Sequence, residues 1–274
     1  MLLQPKSGFL AFFDRLEGVL LRHWFPISRS PIKIAEMIFW PLMNVVLWGL
    51  VGLSVFAMNF SIGSDYVTSL IVCVILWETF FRSLNSIFSS FLEEVWACNI
   101  VYLFASPVVI KEWVVGSSAV AAARGLIAFA TAWLGATALF SQDLTPRIAP
   151  FFATIPILIM LGLAFGLAII SAMIRWGVSK QGLIWMLLAL LGPMSCIYYP
   201  AQVFPSPLRD VALALPTTQI FEFIRDSIHT DKLEWYSLAM PTLSACAIFI
   251  CSLLLLRNSL NFARRDGSIL RHFQ

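Results

Sequence analysis

The sequence predicts an all-α membrane protein with six transmembrane helices. An N-terminal amphipathic helix lies in the interface before them, and an outer re-entrant helical segment separates spans five and six. Three observations carry this prediction. Hydrophobic residues make up 59% of the 274 and charged residues only 12%, whereas a soluble domain carries about 25% charged residues. So much apolar surface needs lipid as its solvent, and the mean hydropathy of +0.86 agrees. Apolar runs recur that cross a core of about 30 Å at about 1.5 Å per residue. The basic residues are also unequally divided between the two sides those runs define.

In residues 9–25, Phe9, Phe12, Phe13, Leu16, Val19, Leu20 and Trp24 recur at helical spacing, with Asp14, Arg15, Gly18 and Arg22 opposite. That pattern predicts a helix too charged to cross lipid, lying in the interface. Asp14, Arg15, Glu17 and Arg22 also interrupt the first apolar stretch, unlike a cleavable signal. Pro26 and Pro31 are expected to break the chain. Spans are predicted at about 36–58, 66–90, 112–140, 150–174, 183–203 and 236–256. They contain Pro41, Gly162, Gly166 and Pro193, which membrane helices tolerate. Gly162 and Gly166 predict close packing within one subunit. Trp40, Tyr66, Trp113 and Trp185, near span ends, are expected to form interfacial belts.

With six spans both termini share one side. Lys6, Arg15, Arg22, Arg29, Lys33, Lys111, Arg175, Lys180, Arg257, Arg264, Arg265 and Arg271 lie there, against Arg147, Arg209, Arg225 and Lys232 opposite. That bias places both termini in the cytoplasm. An odd number of spans would separate two basic ends. The longest outer connection, 200–235, holds Pro200, Pro205, Pro207 and Pro216 but stays apolar between them. Short helices dipping into the outer leaflet fit it, because non-helical backbone at that depth needs shelter by protein.

A net charge of +3 is too small to indicate a nucleic-acid partner. The sequence has no GxxxxGK[ST] phosphate cradle, so ATP hydrolysis must come from another chain if it drives this one. His23, His229 and His272 lie outside the spans with no carboxylate cluster beside them, which speaks against an enzyme and a metal site. Cys73, Cys98, Cys196, Cys246 and Cys251 are scattered and predict no disulfide within the chain.

Inside the spans, Glu78 and Arg82 are spaced i,i+4 in the better orientation for an ion pair. Arg124 lies at similar depth and is expected to share Glu78, with Asn85 one turn beyond Arg82. Two readings stand: a charge network packing the second span on the third, or a polar element at a substrate path or gate. Asn44 reads as interhelical glue or as a substrate contact.

Residues 90–108, SFLEEVWACNIVYLFASPV, carry two carboxylates, a short apolar stretch and a Ser-Pro. Trp96, Tyr102, Leu103 and Phe104 on an inner loop read either as a docking knob for a soluble partner or as a plain interfacial helix. This stretch resembles the coupling-helix region of the type 2 integral-membrane permeases of ATP-binding-cassette (ABC) exporters. Glu93 and Glu94 match the acidic position, Asn99 to Ala105 the coupling helix (about 96–105), and Ser106-Pro107 the Ser-Pro. Residues 196–226 resemble the family's outer re-entrant segment through Tyr199, Pro200, Pro205, Leu215, Pro216, Glu222 and Arg225. With the N-terminal helix and the six-span layout, the resemblance covers nearly the whole chain. Cys98-Asn99 stands where many relatives have Gly-Thr.

The resemblance implies a single permease domain in a bacterial inner membrane, exporting a hydrophobic or amphipathic substrate: a drug-like molecule, a lipid or a lipid-linked glycan. It implies two copies of the permease, two cytoplasmic ATPase subunits, and ATP and Mg bound by those partners, with no cofactor in this chain. The coupling helix would carry the ATPase motion into the spans, with the helix at 9–25 as a second lever. An ion-gradient-driven secondary transporter is the first rival; it would favour an inverted repeat, and none is visible. A membrane anchor for a soluble partner is the second.

Overall fold

The computed structural model describes residues 9–58, 64–97, 110–140, 148–230 and 234–266. Among them the backbone forms α-helices and short 3-10 turns and no strand: α1 (Phe9–Ser28), α2 (Pro31–Met58), α3 (Ser64–Trp96), α4 (Ile110–Phe140), α5 (Ile148–Trp176), α6 (Gln181–Met194), α7 (Ser206–Leu213), α8 (Pro216–Thr230) and α9 (Ala239–Asp266). Five helices among the described residues are long and apolar enough to cross a membrane: α2, α3, α4, α5 and α9. The described residues are thus all-helical, and the chain is a multi-pass membrane protein.

α3 is the axis of the bundle. Its membrane-length window is 83% buried, against 22% for α2 and for α9. α2, α4, α5 and α8 pack around it, and α9 packs on α5. Glycines set how closely these helices approach. A Cβ on Gly162 of α5 would lie 2.6 Å from the Phe80 carbonyl oxygen, and one on Gly166 would lie 2.3 Å from Ile87 Cγ2. Both partners are on α3, so the two glycines pack within the subunit as their spacing predicts. α2 offers only a narrow inward face of Pro41, Val45, Gly49 and Gly52. Its remaining surface exposes Phe39, Trp40, Met43, Leu47 and Leu50.

Several elements depart from expectation. Pro26 does not end α1, which runs on to Ser28; near the end of the helix its missing N–H costs the single bond to the Arg22 carbonyl and little helix remains to be disrupted. Pro31 opens α2, at a position whose N–H has no intrahelical partner in any case. α3 does not stop at residue 90. It continues to Trp96, with Phe91, Leu92 and Val95 buried, so the first third of the supposed loop is bundle core. The expected fifth span, 183–203, is helical only to Met194. The fourteen residues of α6 reach about 21 Å at 1.5 Å each. Beyond them Ser195 turns the chain, Cys196 adopts a positive φ of 55°, and Pro200 is extended. Trp113 is not in an exposed belt; it is buried edge-on against Phe91, with ring centroids 6.4 Å apart. Trp40 stays exposed as expected.

Candidate functional site

Four constructions interrupt the apolar packing. The first lies midway along α3. Glu78, 2% exposed, accepts hydrogen bonds from Asn44 Nδ2 of α2 at 2.7 Å and from Arg82 Nε one turn on at 2.9 Å. The predicted ion pair is present, and Asn44 ties α2 to it. A carboxylate in this setting is sustained only by such partners. Arg124 does not share Glu78. Both carboxylate oxygens of Glu78 already have donors, and Arg124 lines a separate cavity of about 280 Å³ with Lys33, Arg82, Asn85, Ser86 and Glu93.

The second is a charged clamp at the end of the bundle where α1 crosses. Arg15 of α1 binds both carboxylate oxygens of Glu112, the third residue of α4, through Nε at 2.8 and 2.9 Å. Arg22 pairs with Glu94 in the last turn of α3, and Lys33 of α2 with Glu93 at 2.9 Å. Arg15, Val19 and His23 recur every four residues, so they share one face of α1. That face meets Glu112, Gly116 and Ser117 of α4. Burial, reinforced by the nearby Arg124 and Arg22 charges, lowers the His23 pKa to about 4, so the ring is neutral. Its Nε2 lies 3.1 Å from the Ser117 hydroxyl. The amphipathic expectation for α1 therefore needs correcting. Its Arg15 and Arg22 pair with acidic residues of the bundle, while Phe13 and Trp24 of the apolar set are exposed. Burying charges on acidic partners costs less than leaving Glu94 and Glu112 alone in the bundle.

Glu93 and Glu94, the predicted acidic coupling positions, are thus held by cations of α2 and α1. Trp96 beside them is 65% exposed. Asn99, Tyr102, Leu103, Phe104, Ser106 and Pro107 lie outside the described residues. Glu94→Gln is expected to weaken α1 docking by about 1.5 kcal/mol, since one charged hydrogen bond is lost and Arg22 is partly solvated. Hydrogen exchange over residues 9–28 should then rise, and the double reversal Arg22→Glu with Glu94→Arg should restore protection. Unchanged exchange in Glu94→Gln would remove the clamp from the account.

The third construction is the segment after α6. The Arg225 guanidinium of α8 donates to the carbonyls of Cys196 and of Ile197, the latter at 2.9 Å, and to Glu222 at 2.8 Å. Glu222 Oε1 also accepts the Ala201 amide at 2.9 Å. Pro200, Pro205 and Pro216 shape the turns around this cradle: Pro200 and Pro205 are extended before a 3-10 turn and α7, and Pro216 opens α8. Tyr199 donates to the Pro193 carbonyl at 3.1 Å. Of the predicted residues of this segment, the structure brings Glu222 and Arg225 together, with Tyr199 and the prolines shaping the turns nearby.

The fourth was not legible as a site in sequence. Trp77 and Phe81 of α3, Trp185 of α6 and Tyr198 line an aromatic cavity of about 230 Å³. Tyr198 also stacks on Trp48 of α2 at 3.8 Å. The i,i+4 spacing of Trp77 and Phe81 was the available signal. Such a wall accepts an apolar or aromatic group, or a cation over its ring faces, and offers little to an anion.

No protein-family model and no curated protein matches the chain.

Proposed function

We propose that the chain is the permease subunit of an ATP-driven exporter of the ABC type, with six crossings and both termini cytoplasmic. The observation that carries this reading is the clamp: two arginines of α1 grip the last turn of α3 and the first turn of α4, the two ends of the segment that contains residues 96–105. A force applied there by an ATPase would reach α1, α3 and α4 together, as a lever requires. In this reading α6, lengthened by the turn after Met194, is the fifth of the six crossings, α7 and α8 are the re-entrant segment, and α9 is the sixth. A second permease copy covers exposed apolar surface of α6, such as Met186, Leu187 and Leu190. Two ATPase subunits bind ATP and Mg. The aromatic cavity beside α6 suits a hydrophobic or amphipathic cargo.

The test starts with purification from the native membrane, from which a soluble ATPase should co-purify. Alanine at Tyr102, Leu103 and Phe104 together should uncouple ATP use from transport while the chain elutes as the parent does. Thiol or protease mapping that places residues 96–105 outside the cell would overturn the proposal.

A further inference from the structure

We infer that the cavity between α2, α3 and α4 binds an oxyanion of the phosphate class, carried by an anionic membrane lipid, with Arg124 as its main ligand and Ser86 as a hydrogen-bond donor. The inference needs only a membrane around the bundle and holds whether or not the chain exports anything.

The cavity wall carries three cations, Lys33, Arg82 and Arg124, against two carboxylates, Glu36 and Glu93. Lys33 is paired with Glu93, Arg82 with Glu78, which is not part of the wall, and Glu36 is exposed, so Arg124 is the lining cation without an ion pair among the described residues. Arg124 lies fifteen residues into α4, about 21 Å along the helix axis. Its Nε is buried with no hydrogen-bond partner, and no carboxylate among the described residues forms an ion pair with it. Arg124 is half-buried and feels Glu93 only at a distance, without an ion pair to it; a guanidinium so placed is unfavourable, and an anion in the cavity lowers that cost. The planar fork of arginine suits a phosphate oxygen pair.

Ser86 supplies an independent observation. Ser83, Ser89 and Ser90 on the same helix each donate to a carbonyl one turn earlier. Ser86 does not. It is 3% exposed, its hydroxyl has no partner, and it lines this cavity. A buried hydroxyl left unpaired is costly, so the site is built for a further acceptor.

Lipid is favoured over free phosphate by what adjoins the cavity. Trp40 forms part of its wall, and from there Met43, Leu47 and Leu50 continue along α2 at helical spacing, each at least 42% exposed. An acyl chain can lie on that stripe while its headgroup reaches Arg124. Basic pockets between spans at the membrane surface take anionic headgroups on the same principle.

The experiment uses the full chain in phosphatidylcholine nanodiscs, with phosphatidylglycerol added in steps, or with inorganic phosphate added to the buffer instead. Retained lipid is read by native mass spectrometry and stabilisation by thermal unfolding. The parent is expected to retain phosphatidylglycerol, and Arg124→Gln to need about tenfold more for equal retention. Ser86→Ala should shift retention in the same direction by less, and Arg257→Gln, outside the cavity, should match the parent. Equal retention by Arg124→Gln and the parent overturns the site. Stabilisation by inorganic phosphate with none by phosphatidylglycerol overturns the lipid as its source. If Arg124→Gln does not fold, Arg124→Lys carries the test: losing the fork should lower retention, and unchanged retention counts against the proposal.

Discussion

Replacing Gly162 with leucine is expected to leave almost no folded chain to recover from the membrane. Gly162 presses α5 onto the backbone of α3: a Cβ there would meet the Phe80 carbonyl oxygen at 2.6 Å, Ser83 Cβ at 3.0 Å and the Leu84 nitrogen at 3.1 Å. Two of these three neighbours are backbone atoms, which no rotamer change can move. Gly125 of α4 approaches the same turn of α3: a Cβ there would meet the Ser83 side chain and, at 3.0 Å, the Thr79 carbonyl oxygen. Two glycines from two helices thus close on α3 around Ser83. Overpacking of this kind costs about 3 kcal/mol where the neighbours cannot yield. In a membrane the close backbone approach that is lost is itself a main source of helix association. Gly166→Ala is expected to be milder, because its nearest neighbour is the Ile87 side chain. Gly18→Ala, with nothing within 4 Å, should be neutral or stabilise α1 by about 0.5–1 kcal/mol. Elution of a fluorescent fusion in mild detergent, followed by unfolding in a denaturing one, ranks the three. If Gly162→Leu elutes and unfolds like the parent, the close approach of α5 to the α3 backbone is not what holds the bundle.

This packing also shows what sequence can and cannot reveal in such a chain. The five long crossings were legible because lipid demands an unbroken apolar run, and that demand is written locally. Glu78 and Arg82 were legible for the same reason: partners one turn apart appear within five letters. Partners far apart in sequence leave no such trace. Arg15 meets Glu112 across 97 residues and Arg22 meets Glu94 across 72. Periodicity alone therefore assigned those arginines to water. The same gap hid that α3 continues past residue 90, because Glu93 and Glu94 look like the start of a polar loop until their cations are in place. The early end of α6 escaped notice because Pro193 is tolerated in membrane helices. The stop is made instead by Ser195 and by the positive φ at Cys196, which no residue type announces. Trp113 near a span end reads as a belt residue until Phe91 is found against it. The aromatic cavity draws on α3, α6 and the following turn, elements that only the folded bundle brings together.

Arg225→Met is expected to release the turn at 195–200 while the helical bundle stays folded. The guanidinium is 7% exposed and holds three separate groups: the Cys196 and Ile197 carbonyls and the Glu222 carboxylate. Methionine fills a similar volume, so the change removes charge and donors with little loss of packing. Two carbonyls then lose their donor and Glu222 loses its counter-charge. Breaking a buried pair from one side costs about 3 kcal/mol or more, because the remaining charge stays desolvated. The strain at Cys196, whose φ of 55° is uncommon outside glycine, is held in place by these bonds and would relax once they are gone. The effect should remain local. α8 reaches the bundle through Ile220, Phe221 and Ile224, all fully buried, whereas the turn at 195–200 depends on the arginine. Cys196 reports the outcome directly, since it is 0% exposed and sits at the released turn. In a background lacking Cys98, Cys246 and Cys251, maleimide should label Cys196 in Arg225→Met far faster than in the parent. Cys73, buried on α3, should stay protected and so separate local release from global unfolding. Arg225→Lys keeps the charge but cannot span both carbonyls and Glu222 with one planar group, so its labelling rate should fall between the two. Parent-like protection of Cys196 in Arg225→Met would mean that the prolines and the apolar face of α8 fix the turn unaided.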